Sequence, residues 1–265
     1  GVLTTVSREL TQLRKKQSKH ALARKERRRQ RSKGGARTVG LAGYTNAGKS
    51  SLFLALSGKK VLVEDKLFST LETTVGRMEM SPRILLADTI GFIDELPSDL
   101  LDAFHATLDE SLNCDLLLLL ADSSDDVDEL QRKLSTSRRE VLDRSKEDSI
   151  RMKVVLTKSD AGGDIEAAQE VVRMMGMDDA MVISSHSGEG LDALRESIMF
   201  SLYGPKTTLV VSTGKPGERE AESFVSQIYD LGIVTEKDGL ELTLWCGFGE
   251  LQRLIAKSDG RISIK

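Results

Sequence analysis

The feature that most constrains this chain is an apolar run that ends in two closely spaced glycines, followed at once by Lys49 and Ser50. The stretch reads VGLAGYTNAGKSSLF over residues 39–53 and fits Gly-x-x-x-x-Gly-Lys-Ser, the spacing of a phosphate-binding loop. That loop needs a strand before it and a helix after it, and the flanking residues predict both, at 38–43 and 49–58. The chain is therefore expected to be an α/β protein that binds the phosphates of a nucleotide.

Each residue type in this loop suits phosphate binding. The small residues let consecutive backbone N–H groups turn inward onto phosphate oxygens, assisted by the positive N-terminus of the following helix. Lys49 is expected to neutralise charge on the β- and γ-phosphates, and the Ser50 hydroxyl to ligate Mg²⁺. The residues predicted to line the phosphates are Gly43, Tyr44, Thr45, Asn46, Ala47, Gly48, Lys49, Ser50 and Ser51.

The stretch LLADTIGF at 85–92 predicts the part of the site that senses the γ-phosphate. Asp88 closes an apolar strand, at a place where a carboxylate can hold Mg²⁺ through water. Gly91 has the backbone freedom to turn its N–H toward a γ-phosphate, so a switch between two nucleotide states is expected here.

Several threonines in DKLFSTLETTVG, residues 65–76, predict a segment that closes over the metal. One of them must place its hydroxyl on Mg²⁺; Thr70 is preferred, with Thr73 and Thr74 as alternatives. The predicted catalytic residues are Lys49, Thr70 and Gly91, and the predicted Mg²⁺ ligands are Ser50, Thr70 and Asp88.

A second motif, TKSD at 157–160, predicts which base is bound. It follows the apolar strand MKVVL, and the Asp160 carboxylate can accept from both the N1–H and the exocyclic N–H of guanine, a pair that adenine does not offer. The segment ISSHSGEGL at 183–191 follows the next strand, and His186 in it is expected in an exposed loop rather than in catalysis. The residues predicted at the base pocket are Thr157, Lys158, Asp160, Ser184, Ser185 and His186.

The order of apolar and amphipathic segments predicts two folding units after a basic N-terminal helix. Residues 38–203 are expected to form a three-layer α/β domain around a mostly parallel sheet, with a tight turn in EMSPRI at 79–84 that makes an antiparallel edge pair. Residues 207–265 predict β-α-β-β-α-β, the order of a small ferredoxin-like α+β domain. The predicted strands are 38–43, 74–80, 83–88, 115–122, 152–157, 180–184, 207–213, 232–236, 240–246 and 261–265, and the predicted helices are 49–58, 98–113, 124–145, 164–176, 190–202, 217–231 and 248–257.

Charge is distributed unevenly along the chain. Residues 1–37 contain 13 Lys or Arg and 2 Glu, so the overall net charge of −3 conceals a basic segment of net +11 and a remainder of net −14. Apolar residues spaced by 3, 4 and 3 positions, from Leu3 to Leu13, predict a helix with a narrow apolar seam. The basic run is expected either to be a solvated helix face or to bind RNA through counterion release. No DNA partner is expected.

Hydrophobic patterning argues against a membrane protein. The longest strongly apolar run, 116–121, is far shorter than the roughly 20 residues needed to cross a bilayer, and no signal peptide is recognised at the start. A cytoplasmic protein with no membrane partner is expected.

Three stretches together resemble one known family. GYTNAGKSSLF, KLFSTLETT and DTIGFIDELPSDLLDAFHATLDES look like those of the HflX GTPases, within the translation-factor-related class, and the resemblance covers residues 5–203. It implies a P-loop GTPase with GTP or GDP and Mg²⁺ as ligands, which associates with the large ribosomal subunit and its rRNA and in some members splits stalled ribosomes. Residues 1–37 look like the end of the family's N-terminal domain, of which most is expected to be missing from this chain.

Three positions bear on how such a site would bind and hydrolyse GTP. Thr157 stands where the family usually has Asn, which is expected to weaken guanine affinity. Phe92 stands where many GTPases have the glutamine that positions the attacking water, so slow intrinsic hydrolysis is expected. Asn46 occupies the loop position where an asparagine ligates K⁺ in related GTPases, so stimulation by K⁺ is a further hypothesis.

Two other classes of function stay open at this point. The first is an RNA-binding module in which the GTPase site is vestigial or structural. The second is an ATP-using phosphotransferase, against which Asp160 argues. Because Lys49, Ser50, Asp88 and Asp160 are all in place, the sequence favours a GTPase switch.

Overall fold

A computed structural model describes residues 36–58, 74–79, 84–88, 112, 114–144, 151–212 and 218–265. The basic segment lies outside these residues, except for Ala36 and Arg37, and so does the predicted helix 98–113, except for Leu112. No helix in the described part of the chain is long and apolar enough to cross a membrane.

The larger part of the protein is a six-stranded, mostly parallel sheet. Its strands are β1 (Arg37–Gly43), β2 (Thr74–Glu79), β3 (Ile84–Asp88), β4 (Leu116–Asp122), β5 (Met152–Thr157) and β6 (Met181–Val182), in the order β2-β3-β1-β4-β5-β6. Every neighbouring pair is parallel except β2 and β3, which pair antiparallel at the edge as the sequence predicted.

Strand β4 is buried on both faces of the sheet, which indicates a three-layer arrangement of helices, sheet and helices. All seven residues of β4, LLLLLAD, are buried, as expected for a central strand covered by helices on each side. Alternate leucines face different cores: Leu118 and Leu120 belong to one hydrophobic cluster, and Leu117 and Leu119 belong to the other. The helices of this part are α1 (Lys49–Ser57), α2 (Val127–Arg144), α3 (Ile165–Met174) and α4 (Leu191–Tyr203).

The C-terminal part is a four-stranded antiparallel sheet with two helices. It contains β7 (Thr207–Val211), α5 (Glu218–Leu231), β8 (Ile233–Asp238), β9 (Glu241–Trp245), α6 (Phe248–Lys257) and β10 (Ile262–Ile264). The strand order β10-β7-β9-β8, with every pair antiparallel, is that of a ferredoxin-like unit, so the predicted fold class is confirmed for this part too.

Some predicted boundaries were wrong by a few residues. Strand β6 has two residues instead of the five predicted at 180–184, and after Ile183 the chain turns at Ser184, whose hydroxyl accepts from the amides of His186 and Ser187. Strand β8 continues to Asp238, so the turn starts at Gly239, which has a left-handed φ of 58°.

The C-terminal sheet shares a hydrophobic contact with helix α4. The Trp245 side chain, at the end of β9, is 6% exposed and belongs to the same buried cluster as Met199 and Leu202 on α4. The Lys206 ammonium lies 5.5 Å from the centre of the Trp245 ring. The C-terminal unit therefore packs against helix α4; the division into domains at 203 and 207 stays a prediction.

Candidate nucleotide-binding site

The ends of four strands bring the candidate site residues to one edge of the large sheet. Because β1, β3, β4 and β5 are parallel to one another, their last residues, Gly43, Asp88, Asp122 and Thr157, lie at the same edge. Open α/β sheets bind ligands in the crevice outside the carboxyl ends of their strands. This edge is therefore where the chain can hold a ligand.

The phosphate loop, residues 43–50, begins at this edge and leads into α1. Asn46 and Gly48 have left-handed backbones, with φ of 63° and 79°, a conformation that asparagine and glycine tolerate best. Alternation of left- and right-handed residues turns successive N–H groups to one side and forms a concavity that favours anions. Asn46 is exposed, whereas the Ala47 beside it is 3% exposed and anchors the loop in the core.

The Lys49 ammonium is held inside the loop. Its Nζ donates to the carbonyl oxygens of Gly43 at 3.1 Å and Tyr44 at 2.7 Å. An ammonium has three donors, and two of them are used by these carbonyl oxygens of the described residues. The third donor stays available for an anion. Burial lowers the pKa of Lys49 to about 8, and the charge of Asp88 offsets only part of this effect. A phosphate beside Lys49 would stabilise the charged form of the side chain.

Ser50 and Asp88 form a pair that suits a divalent cation. The Ser50 hydroxyl donates to Asp88 Oδ2 at 2.9 Å, and the Asp88 residue is fully buried. A hydroxyl and a carboxylate are hard oxygen ligands of the kind that Mg²⁺ takes together with waters and phosphates. Two of the three predicted Mg²⁺ ligands are thus in contact, at the first turn of α1 and the end of β3, and the third, Thr70, lies outside the described residues.

Thr157 joins the base motif to the phosphate loop. Its Oγ1 lies 3.0 Å from the Ala47 carbonyl oxygen and 3.1 Å from the Ala121 carbonyl oxygen, and the residue is 1% exposed. The hydroxyl has one proton to donate between these two acceptors. The threonine therefore fastens the phosphate loop to the end of β5.

Asp160 is exposed and is oriented by Ser184. The Ser184 hydroxyl donates to the Asp160 carboxylate, which lowers the pKa of that carboxyl; the Asp160 amide and the charge of His186 act in the same direction. Ser184 is fully buried and its hydroxyl also accepts from the His186 and Ser187 amides, so it fixes both loops at once. A charged, oriented carboxylate at the rim of the edge is what guanine recognition needs.

The structure brings most of the predicted residues together, although not all of them are described. Tyr44, Thr45 and Ser51 are half-buried along the loop and α1, Ser185 is half-buried, and His186 is exposed. Thr70, Gly91 and Phe92 lie outside the described residues, as does the alternative Thr73, and the side chain of Thr74 is not described. The predicted roles of all these residues stay predictions.

Sequence reasoning missed the segment after β4. The Asp122 carboxylate lies 2.6 Å from the Lys158 ammonium, and Lys133 in the second turn of α2 is paired with Asp125 at 2.9 Å. The Lys133 and Arg132 side chains also lie over the Tyr44 ring, at 5.6 and 5.3 Å from its centre. Helix α2 contacts the phosphate loop with its first two turns. The sequence did contain a signal for this segment: Asp122 ends a buried strand at this edge, as Asp88 does.

Comparison with known proteins agrees with this geometry. Residues 38–158 match the family model of the 50S ribosome-binding GTPases. The GTPase HflX of Gluconacetobacter diazotrophicus is 40% identical over 204 residues, which cover 76% of this chain and 43% of that protein. The GTPase HflX of Methanocaldococcus jannaschii is 43% identical over 135 residues, which cover 50% of this chain and 33% of that protein. This chain thus spans less than half the length of these curated relatives.

A solved structure shares the fold. The GTP-binding protein from the hyperthermophilic archaeon Sulfolobus solfataricus in complex with GDP has a TM-score of 0.52 and 29% identity, over 63% of this chain and 52% of that one. This chain has the phosphate loop, the base motif and the mostly parallel sheet together, and both curated relatives named above are GTPases HflX. The chain belongs to the HflX family of GTPases.

Proposed function

We propose that this chain is a Mg²⁺-dependent switch that binds GTP and GDP and hydrolyses GTP. The observation that carries the proposal is the buried Lys49 ammonium beside the Ser50–Asp88 pair. Asp160 lies in the loop that follows β5, a strand of the same sheet. Two comparisons support the proposal: the curated relatives are named GTPases, and the Sulfolobus solfataricus protein was solved in complex with GDP.

Each described residue has a task in this proposal. Lys49 donates its remaining N–H to a β- or γ-phosphate oxygen, while the backbone N–H groups of the phosphate loop bind the other oxygens. Ser50 and Asp88 hold Mg²⁺, which when bound neutralises charge on the phosphates. Asp160 accepts two hydrogen bonds from guanine, so ATP should compete poorly.

Intrinsic hydrolysis should be slow, because Phe92 has no group that can orient the attacking water. A further cation can supply the missing charge, and Asn46 is exposed at the loop with its left-handed backbone at φ 63°. We therefore expect K⁺ to stimulate hydrolysis. The test is the hydrolysis rate in K⁺ against Na⁺ at equal ionic strength; equal rates would rule the K⁺ site out.

The large ribosomal subunit is the proposed partner in the cytoplasm. The family model that matches residues 38–158 is described as ribosome-binding, and the basic residues of 1–37 suit contact with rRNA. The test is GTP hydrolysis in K⁺ buffer with and without purified large subunits, with Lys49→Ala as the background. Stimulation by the subunit is expected; an unchanged rate with GTP still bound would contradict this partner.

The second candidate, an RNA-binding module with a vestigial GTPase site, is favoured by the net charge of +11 on residues 1–37. Lys49→Ala separates the two candidates. Under the switch proposal it abolishes GTP-dependent association with the large subunit, whereas a module keeps its RNA affinity. Deletion of residues 1–37 should flatten the salt dependence of RNA binding, and an unchanged slope would place the RNA contact elsewhere.

A further inference from the structure

Asp122 is a buried carboxylate at the edge of the sheet that neither the phosphate loop nor the base motif includes. It is 8% exposed and ends β4, between the strands that end at Gly43 and Thr157. A carboxylate this buried is stable only when it is paired or hydrogen-bonded. Its partners therefore indicate what it does.

One oxygen of Asp122 holds its own loop, and the other reaches the base motif. Oδ1 accepts from the Ser124 amide at 3.0 Å and from the Ser124 hydroxyl at 2.6 Å. Oδ2 lies 2.6 Å from the Lys158 ammonium. Because the first oxygen is fixed by Ser124, the second presents a fixed point of negative charge to the lysine.

Lys158 needs such an anchor. It has a left-handed backbone with φ of 60°, an uncommon conformation for a lysine, and its side chain is 32% exposed. A lysine side chain of this kind loses much rotamer freedom when a ligand orders it, which costs affinity. The contact with Asp122 orders the lysine before any ligand arrives.

The backbone around this pair is tied down as well. The Ser123 amide and hydroxyl donate to the Thr157 carbonyl oxygen at 3.0 and 2.7 Å. On the other side, a Cβ at Gly163 would collide with the Ser123 carbonyl oxygen, so the loop after the base motif lies directly against this segment. The segment 122–124 is thus a rigid support under residues 157–163.

We propose that Asp122 is a positioning residue for guanine-nucleotide binding that acts through the Lys158 ammonium. Asp122 does not touch the ligand; it holds Lys158 in the TKSD loop, two residues from the Asp160 carboxylate to which the proposed function assigns the base. The inference rests on the proposed function, because it supposes that a guanine nucleotide occupies this edge.

The variant that tests the proposal is Asp122→Asn. The asparagine carbonyl can still accept from Ser124, but it has no charge to hold Lys158. We expect GDP affinity to fall about 3- to 10-fold, the loss expected when one long side chain is no longer preorganised. Affinity for inorganic pyrophosphate, measured by competition, should stay unchanged, because the phosphate loop is intact. Equal losses for GDP and pyrophosphate would mean a merely structural role and would overturn the proposal.

A double-mutant cycle with Lys158→Ala shows whether Asp122 acts through the lysine. Once Lys158 is an alanine, changing Asp122 should have no further effect on GDP affinity. Additive losses would overturn the proposal. The matched control is Asp126→Asn, which should leave GDP affinity unchanged. The Asp126 carboxylate accepts from the Glu129 amide at 2.9 Å.

The unaltered chain separates this inference from the function on which it rests. If it binds no GDP, both the proposed function and the role of Asp122 fall. If it binds GDP and Asp122→Asn binds equally well, only the role of Asp122 falls.

Discussion

The carboxyl edge of the large sheet and the C-terminal unit differ in what they bury. Strand ends and their loops bury Lys49, Asp88, Asp122, Thr157 and Ser184, whereas in the described part of the C-terminal unit Ser258 is the one buried polar residue and the core is apolar. Burying polar groups costs free energy unless they are paired, so a set of them at one edge is retained for a reason other than stability. Ligand binding and catalysis are expected at the carboxyl edge of the large sheet, whereas the core of the C-terminal unit is expected to contribute to stability.

Trp245→Ala is the change expected to have the largest effect, and it acts on packing. Removing a buried tryptophan that packs the C-terminal unit against α4 should lower the free energy of unfolding by about 3–5 kcal/mol. GDP affinity of the folded protein should not change, because Trp245 packs against α4 rather than at the nucleotide edge. Chemical denaturation and GDP titration of the same sample measure both.

Phe248→Ala is the matched control for that change. Phe248 is 74% exposed, three residues along the chain from Trp245, so its removal should have little effect on unfolding. A large loss of GDP affinity in Trp245→Ala would break the comparison, because it would couple the C-terminal unit to the site.

Lys49→Ala should act on nucleotide binding, whereas Trp245→Ala acts on packing. It removes the ammonium that lies within the phosphate loop, and we expect GDP affinity to fall a hundredfold or more, roughly 3 kcal/mol, as when one partner of a buried charge pair is truncated. Fluorescence titration with a labelled GDP measures it. Lys257→Ala, at an exposed lysine of α6, is the control. Binding that survives in Lys49→Ala would remove the main reason for placing a nucleotide here.

The pKa of Lys49, lowered to about 8 by burial, gives nucleotide binding a pH dependence. Phosphate binds the ammonium form, so above pH 8 the free protein must take up a proton on binding, and affinity should fall by up to about tenfold per pH unit. Below pH 7 Lys49 is already charged and contributes no slope. Calorimetry in two buffers with different ionisation enthalpies detects the proton; no uptake at pH 9 would contradict this account.

Thr157→Val should have the smallest of these effects. It should lower both the free energy of unfolding and the affinity for GDP. The hydroxyl that donates to the Ala47 or Ala121 carbonyl oxygen is lost at constant volume, which should cost about 1–2 kcal/mol in unfolding and weaken GDP binding several-fold. Thr243→Val in β9 is the control, since its Oγ1 bonds Thr208 at 2.9 Å in the C-terminal sheet. If Thr157→Val lowers stability alone, Thr157 is a packing residue like those of the C-terminal unit.

The parts of the site that were predictable from sequence are those written in contiguous residues. The phosphate loop fits one fixed spacing, and the strand before it and helix after it follow from local patterning, as does the β-α-β-β-α-β order. The Asp122–Lys158 pair joins the last residue of β4 to the residue that follows β5, and no local spacing encodes it. Trp245 reads as one more apolar residue of β9 until the position of α4 is known.

Thr157 shows the same limit from the other direction. As a departure from the family's asparagine it predicted weaker guanine binding. In the structure its hydroxyl contacts the Ala47 carbonyl oxygen of the phosphate loop. What a substitution removes can be read from sequence, but what the new side chain contacts depends on how closely the end of β5 approaches the phosphate loop.

The most direct test of the central claim is a calorimetric titration of this chain with GDP and with ADP in the presence of Mg²⁺. One site for GDP is expected, with binding of ADP weaker by about a hundredfold or more, because adenine would leave the Asp160 carboxylate without a base partner. Equal binding of the two nucleotides, or binding of neither, would contradict it.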